Sequence, residues 1–271
     1  MTTATETAAA TGPEHGTEIR IEGLSKSFET KRGRLTAIDD LSLTIMAGSF
    51  FVVVGPSGCG KSTLLRLLAG LEKPSAGIAE IHGGGGDKPA SSMVFQGESA
   101  FPWMTVFDNA AYGLKMRRVP APKRREVVAE WLAKTGLSDF ADAYPHELSG
   151  GMKQRVALAR AFANDPDVLL MDEPFSALDE QTKTVLQQEL LRIWGESSKT
   201  VVFITHSVDE AVTLGDRILV MTARPGREKA MFDVPFERPR EVLELRKRPE
   251  YGELVYRIWE SLRTEVDGVL R

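Results

Sequence analysis

The sequence predicts an α/β fold, a mainly parallel sheet covered by helices on both faces and interrupted by one helical insertion. Three observations predict it. Continuous apolar, β-prone runs recur at Phe50–Val54, Val168–Met171, Val201–Thr205 and Ile218–Met221, as expected of strands buried on both faces. Helical patterns fall between these runs. Residues 97–165 lose the strand pattern and turn mainly helical.

Met1–Gly16 is rich in Thr, Ala and Glu and has no basic stretch followed by an apolar one. Residues 1–17 are therefore expected to form a disordered tail, not a secretory leader. Order is expected from Glu18, where Ile19, Ile21 and Leu24 begin an apolar pattern. Leu41, Leu43 and Ile45 alternate with polar neighbours, as in a strand with one wet face. The buried strand Phe50–Val54 runs into a glycine-rich turn, then into a short helix carrying Leu64, Leu65, Leu67 and Leu68 that stops at Gly70. Gly83–Gly86 reads as a surface turn. In the insertion, Val127, Val128, Trp131 and Leu132 recur at helical spacing and Gly136 marks the helix end. Ser207 and Glu210 have capping-box spacing, which starts a helix directly after a strand. Residues 228–271 are expected to form a C-terminal helical extension, and the chain shows no sequence repeat.

Composition sets limits. The 271 residues are 42% hydrophobic and 27% charged, ordinary for a globular protein. A net charge of −4, from 34 Lys and Arg against 38 Asp and Glu, gives no electrostatic reason to expect nucleic acid as a partner, though it leaves a local basic patch open. No apolar run approaches the ~18–20 residues that cross a bilayer. Cys59 is the one cysteine, so no internal disulfide forms, and a cytoplasmic setting fits.

Gly55-Pro56-Ser57-Gly58-Cys59-Gly60-Lys61-Ser62 fits the pattern G-x-x-x-x-G-K-[ST]. Its glycines let successive backbone N–H groups turn inward on a phosphate, and the following helix adds its positive N-terminal end. Lys61 is expected to reach the β- and γ-phosphates, the Ser62 hydroxyl to ligate Mg²⁺, and Thr63 to add a phosphate contact. The motif lies between a buried strand and an apolar helix, the context its mechanism requires. Cys59 is read as a small loop filler, and a bulky thiol reagent there is expected to block nucleotide. Val168–Met171 ends in Asp172 and Glu173. Because side chains alternate along a strand, the two acids are expected to point different ways, Asp172 toward a metal and Glu173 toward an attacking water as general base.

Leu148-Ser149-Gly150-Gly151-Met152-Lys153-Gln154-Arg155 resembles the signature sequence of the ATP-binding cassette ATPases. The order of motifs in that family is also present: phosphate loop, Gln96, signature, Asp172-Glu173, the turn Ser176-Ala177-Leu178-Asp179, and His206. The resemblance spans about Glu18 to Arg227. Met152 stands where Gln is usual, and Phe28 where an aromatic, more often Tyr, stacks on adenine; Phe28 alone also reads as a core residue. The resemblance implies a cassette over 18–227, with an antiparallel β subdomain and the helical subdomain inserted at about 97–165. It implies ATP and Mg²⁺, with Ser62, Gln96 and Asp172 organising the metal. Phe28, Gly55 to Thr63, Ser149, Gly150, Gly151 and Asp179 would contact nucleotide. Lys61, Gln96, Glu173 and His206 would take part in hydrolysis. It further implies a head-to-tail homodimer in which the signature of one copy closes the nucleotide on the other.

The segments Phe101-Pro102-Trp103, Thr205–Ala211 and Val220–Arg227 look like those of the nitrate, taurine, sulfonate and bicarbonate importer ATPases. In the cassette family the loop that begins at Gln96 and the nearby helical lobe receive a short helix of a membrane permease, so the resemblance makes Phe101, Trp103 and Met104 candidates for an apolar docking surface. Core of the helical lobe is the other reading of Trp103. The resemblance places the protein at the cytoplasmic face of the cell membrane, served indirectly by a solute-binding protein. A lipid-handling or export system is the alternative.

Overall fold

The computed structural model describes residues 17–31, 33–82, 88–97, 100–197 and 199–269. The expected tail up to residue 16 and the glycine turn at 83–86 lie outside these. Thr17, expected in the tail, is buried, and its carbonyl accepts a hydrogen bond from the Thr200 hydroxyl at 2.7 Å.

The chain opens with two long strands, β1 (Glu18–Thr30) and β2 (Gly33–Ile45), which pair antiparallel. After β3 (Phe50–Val54) and α1 (Lys61–Leu68), β4 (Ala76–His82) returns to the other side of β1 and completes a three-stranded sheet ordered β2-β1-β4. Then come β5 (Ser91–Val94) and a helical lobe made of α2 (Val106–Met116), α3 (Ala121–Lys134) and α4 (Gly150–Ala163). The second half alternates: β6 (Val168–Asp172), α5 (Glu180–Gly195), β7 (Thr200–Ile204), α6 (Val208–Leu214) and β8 (Arg217–Met221). β9 (Glu228–Asp233), α7 (Val242–Leu245) and α8 (Pro249–Val269) close it. The main sheet runs β5-β6-β7-β3-β8-β9, parallel throughout except for the antiparallel edge strand β9.

β3 shows why the central strands read as continuous apolar runs. Phe50, Val52 and Val54 join one core with Phe203, Trp194 and Ile258, while Phe51 and Val53 join another with Leu64, Leu65, Ile19 and Ile21. Both faces of the strand are covered, so neither alternate set can be polar. The lobe has a core of its own, built on Val106, Ala110, Leu114, Val128, Leu132 and Val156. Trp131 joins the lobe to the main body, stacking on Phe162 with ring centroids 5.0 Å apart.

Three expectations are corrected. Residues 228–233 are not helical; they pair with β8, so the sheet crosses the expected boundary at 227. Their sequence, Glu-Lys-Ala-Met-Phe-Asp, has the charged, half-exposed character of an edge strand, which hides it from a search for apolar runs. The capping box at α6 is half formed. Ser207 Oγ accepts from the Glu210 N–H at 3.3 Å, but the Glu210 carboxylate takes the Thr205 hydroxyl at 2.6 Å instead of returning to the cap. Strand alternation does not set the direction of Glu173 either. β6 ends at Asp172, and Glu173 has φ +44°, in the left-handed region.

α8 lays Tyr251, Leu254, Ile258 and Leu262 on the core. The irregular chain before it is pinned by Arg240, 5% exposed, whose guanidinium donates to the carbonyls of Thr213, Gly215 and Phe236.

Candidate functional site

The glycine-rich loop occupies the turn from β3 into α1. Gly60 takes φ +105° as the residue before the helix, and a Cβ there would stand 2.7 Å from the Ala37 carbonyl oxygen, so no other residue fits without moving β2. Lys61 is buried and donates to the carbonyls of Gly55 at 2.7 Å and Pro56 at 3.1 Å, which folds its ammonium over the loop. Pro56, Ser57 and Gly58 lie toward solvent, while Cys59 points inward. Its Sγ would lie 2.8 Å from a Cβ at Gly55, and burial pushes the thiol pKa up. A thiol reagent must therefore enter the core before it can modify this residue, and the neutral thiol is the unreactive form.

Ser62, in the first turn of α1, donates to Asp172 Oδ1 at 3.1 Å. Asp172 is 5% exposed, and burial raises its pKa against the opposing Ser62 hydrogen bond. The next residue turns elsewhere. The Glu173 N–H donates to the Ile204 carbonyl at 3.0 Å, and the left-handed backbone swings its side chain out of the strand. Its Oε2 accepts from Gln96 Nε2 at 3.0 Å and lies 3.2 Å from His206 Nδ1.

These residues leave the carboxyl ends of four neighbouring strands: Gln96 after β5, Asp172 and Glu173 at β6, His206 after β7, and the glycine loop after β3. Parallel pairing brings those ends side by side, which is where open α/β sheets bind ligands.

Other expected residues are not part of this cluster. Ser149 caps α4, accepting from the Met152 N–H at 3.3 Å, and it and Gly150 are exposed. A Cβ at Gly151 would meet the Thr182 methyl at 2.8 Å, so the tip of α4 abuts the start of α5. There Asp179 caps α5, bonded by the Thr182 N–H at 2.9 Å and hydroxyl at 2.7 Å, which hold its carboxyl below the ordinary carboxylate range. Among the described residues, no hydrogen bond joins Ser149, Gly150, Gly151 or Asp179 to the glycine loop. Phe28 lies half-buried on β1, opposite Leu35 of β2, with the Lys26 ammonium 4.8 Å from its ring centroid. Thr63 is half-buried in the first turn of α1.

Trp103 is 69% exposed, which removes lobe core as its role. It stacks on Phe101, with centroids 5.5 Å apart, and Phe101 in turn meets Tyr112 and the Arg160 guanidinium. Sequence reasoning missed Asn109. Fully buried, it donates to the carbonyls of Phe101, Met104 and Thr105 and accepts from the Phe101 N–H, fixing the loop that displays Trp103. A polar residue on the apolar face of α2 was the available signal.

A glycine loop between strand and helix, with an acid pair on a nearby strand, defines a P-loop nucleoside triphosphatase. The family is more specific. The ABC transporter model matches residues 38–176, and the chain belongs to that family as its ATP-binding and ATP-hydrolysing subunit. The taurine import ATP-binding protein TauB of Roseobacter denitrificans is 43% identical over 93% of this chain and 97% of its own. The bicarbonate transport ATP-binding protein CmpD of Synechococcus elongatus is 42% identical over 89% of both chains. Among solved structures, an ATP-binding cassette captured as a dimer in a post-hydrolysis state with ADP and Pi is similar with a TM-score of 0.70 and 29% identity. That match covers 81% of this chain and 100% of the other. Among the described residues, no helix is long and apolar enough to cross a membrane.

Proposed function

We propose that this subunit works as a head-to-tail homodimer at the cytoplasmic face of the cell membrane. There it drives import of a small anion or organic solute through a separate permease supplied by a solute-binding protein. The observation that carries the catalytic part is the meeting of Gln96 and His206 on one oxygen of Glu173, beside the Ser62–Asp172 pair. In this reading the cassette begins at residue 18, carries the lobe inserted over 97–165, and ends with β9.

The backbone from Gly55 to Thr63 cradles the triphosphate, Lys61 neutralises its β- and γ-phosphates, and Phe28 stacks on adenine. Glu173 takes a proton from the attacking water. Gln96 and His206 hold the carboxylate that does so, leaving its second oxygen free for the water. Ser149, Gly150 and Gly151 of the partner copy would complete the cradle, with Asp179 beside them at the dimer contact. Ser62, Asp172 and Gln96 offer a hydroxyl, a carboxylate and an amide oxygen, the hard oxygen donors that suit Mg²⁺ held partly by substrate. When bound, Mg²⁺ supplies neutralisation of phosphate charge. Phosphoryl transfer needs positioning and electrostatics more than covalent chemistry, and this constellation provides both.

Phe101, Trp103 and Met104 form the surface offered to the permease. Relatives of nearly equal similarity are named for taurine and for bicarbonate, so the solute is set by the permease and binding protein, and a sulfonate, taurine, nitrate or bicarbonate all fit the reading. Glu173→Gln tests the core of the proposal. It should bind ATP with unchanged affinity while steady-state hydrolysis falls about a thousandfold, as loss of a general base does. Hydrolysis at the normal rate in that variant removes Glu173 from the role.

A further inference from the structure

The segment Thr222–Arg227, between β8 and β9, is a turn clamped against the glycine loop. It is closed on itself: Thr222 N–H donates to the Arg227 carbonyl at 3.0 Å, and the Thr222 hydroxyl donates to the Pro225 carbonyl at 2.8 Å. It is tied to β2 by the Gly226 N–H on the Ala37 carbonyl at 2.9 Å and by an ion pair between Arg227 and Asp39. Gly226 has no room for a side chain, since a Cβ there would lie 2.1 Å from the Cys59 carbonyl oxygen. From the crown of this turn Arg224 Nε donates to the Gly58 carbonyl at 3.3 Å, and its Nη2 lies 3.1 Å from where a Gly58 Cβ would stand.

The turn is held from behind by the terminal helix. Glu265 of α8 accepts the Ala223 N–H at 2.8 Å on one oxygen and the Lys229 ammonium at 2.6 Å on the other. A continuous set of bonds therefore runs from α8 through Glu265 and Ala223 to Arg224 and Gly58.

We propose that Arg224 is a positioning residue for the nucleotide, fixing the exposed crown of the phosphate loop, and that Glu265 of the terminal helix aims it. The proposal rests on the reading that residues 55–63 hold the ATP triphosphate. Without Arg224 the Gly58 carbonyl loses its donor, and the loop has more conformations to lose when ATP binds. Affinity suffers, while the Glu173 cluster, which Arg224 does not touch, keeps its geometry.

The test is titration of the full-length protein with a fluorescent ATP analogue, paired with steady-state hydrolysis of Mg-ATP. Arg224→Ala should raise Kd and KM about fivefold, the worth of one hydrogen bond, with kcat within about twofold of the wild type. Arg224→Lys, which keeps a donor, should recover part of the loss. Glu265→Ala should reproduce the KM effect, and the double variant should be no worse than Arg224→Ala alone, since both act through one path. Unchanged Kd and KM in Arg224→Ala, a fall in kcat at constant KM, or fully additive effects of the two substitutions would each overturn the proposal. Lys61→Ala separates it from the reading beneath it. If Lys61→Ala binds the analogue normally, the phosphate-loop reading itself fails; if it loses binding while Arg224→Ala does not, only the role of Arg224 fails.

Discussion

At the carboxyl ends of β5, β6, β7 and β3, Gln96 and His206 already meet Glu173, and Ser62 meets Asp172. At the tip of α4, Ser149 and Gly150 face solvent, and the bonds of Ser149 stay within the first turn of its own helix. The first region is built on a sheet whose register leaves no freedom; the second sits on a lobe with a separate small core. In the proposed dimer, the first half of the site is organised by folding alone, and the second is an exposed surface that the partner copy completes.

Three measurements can break or sharpen that contrast. The largest effect is expected from Leu132→Ala, which empties part of the lobe core at a cost of about 2–5 kcal/mol. Hydrogen exchange should quicken over 106–163 with the strand ends unchanged; equal quickening in β3 and β6 would show that the two regions fold as one unit. Next, Ser149→Arg should lower hydrolysis about a hundredfold, the scale of one lost charge-stabilising donor, while a dilute sample keeps normal ATP affinity. Loss of affinity in that dilute sample would mean that the tip serves its own loop. The smallest effect concerns the support beneath His206. Burial raises the Glu210 carboxyl pKa, so its folded value lies above its unfolded one. The native state then binds the extra proton, and stability present at low pH is lost as pH rises through the folded value. Glu210→Gln should therefore melt about 2 °C higher relative to the wild type at pH 8 than at pH 4, measured by calorimetry. The same offset at both values would show that this carboxyl does not titrate in the range.

How far the sequence could be read follows the same division. The glycine loop and the acid pair are local patterns readable from their neighbours in the chain, whereas the Ser-Gly-Gly tip stands out only through resemblance to the family signature. Gln96 and His206 were legible only through resemblance, and their convergence on one oxygen of Glu173 was not legible at all, because parallel strand order creates it and no spacing in the sequence encodes it. β9 was missed because a half-exposed edge strand carries charges where a central strand carries valines. The capping-box spacing at Ser207 was real, yet the Thr205 hydroxyl outcompeted the cap for the Glu210 carboxylate, a contest between two nearby partners that spacing cannot rank.

The stretch between β9 and α7 has no ladder of its own, and one guanidinium stands in for it by collecting the carbonyls of Thr213, Gly215 and Phe236. Although burial and the neighbouring Arg238 lower the pKa of Arg240 to about 10, it stays charged at any pH a living cell meets. The elbow between sheet and last helix is therefore riveted by a group that proton concentration cannot loosen. A lysine, with a single nitrogen, could not span the same three oxygens.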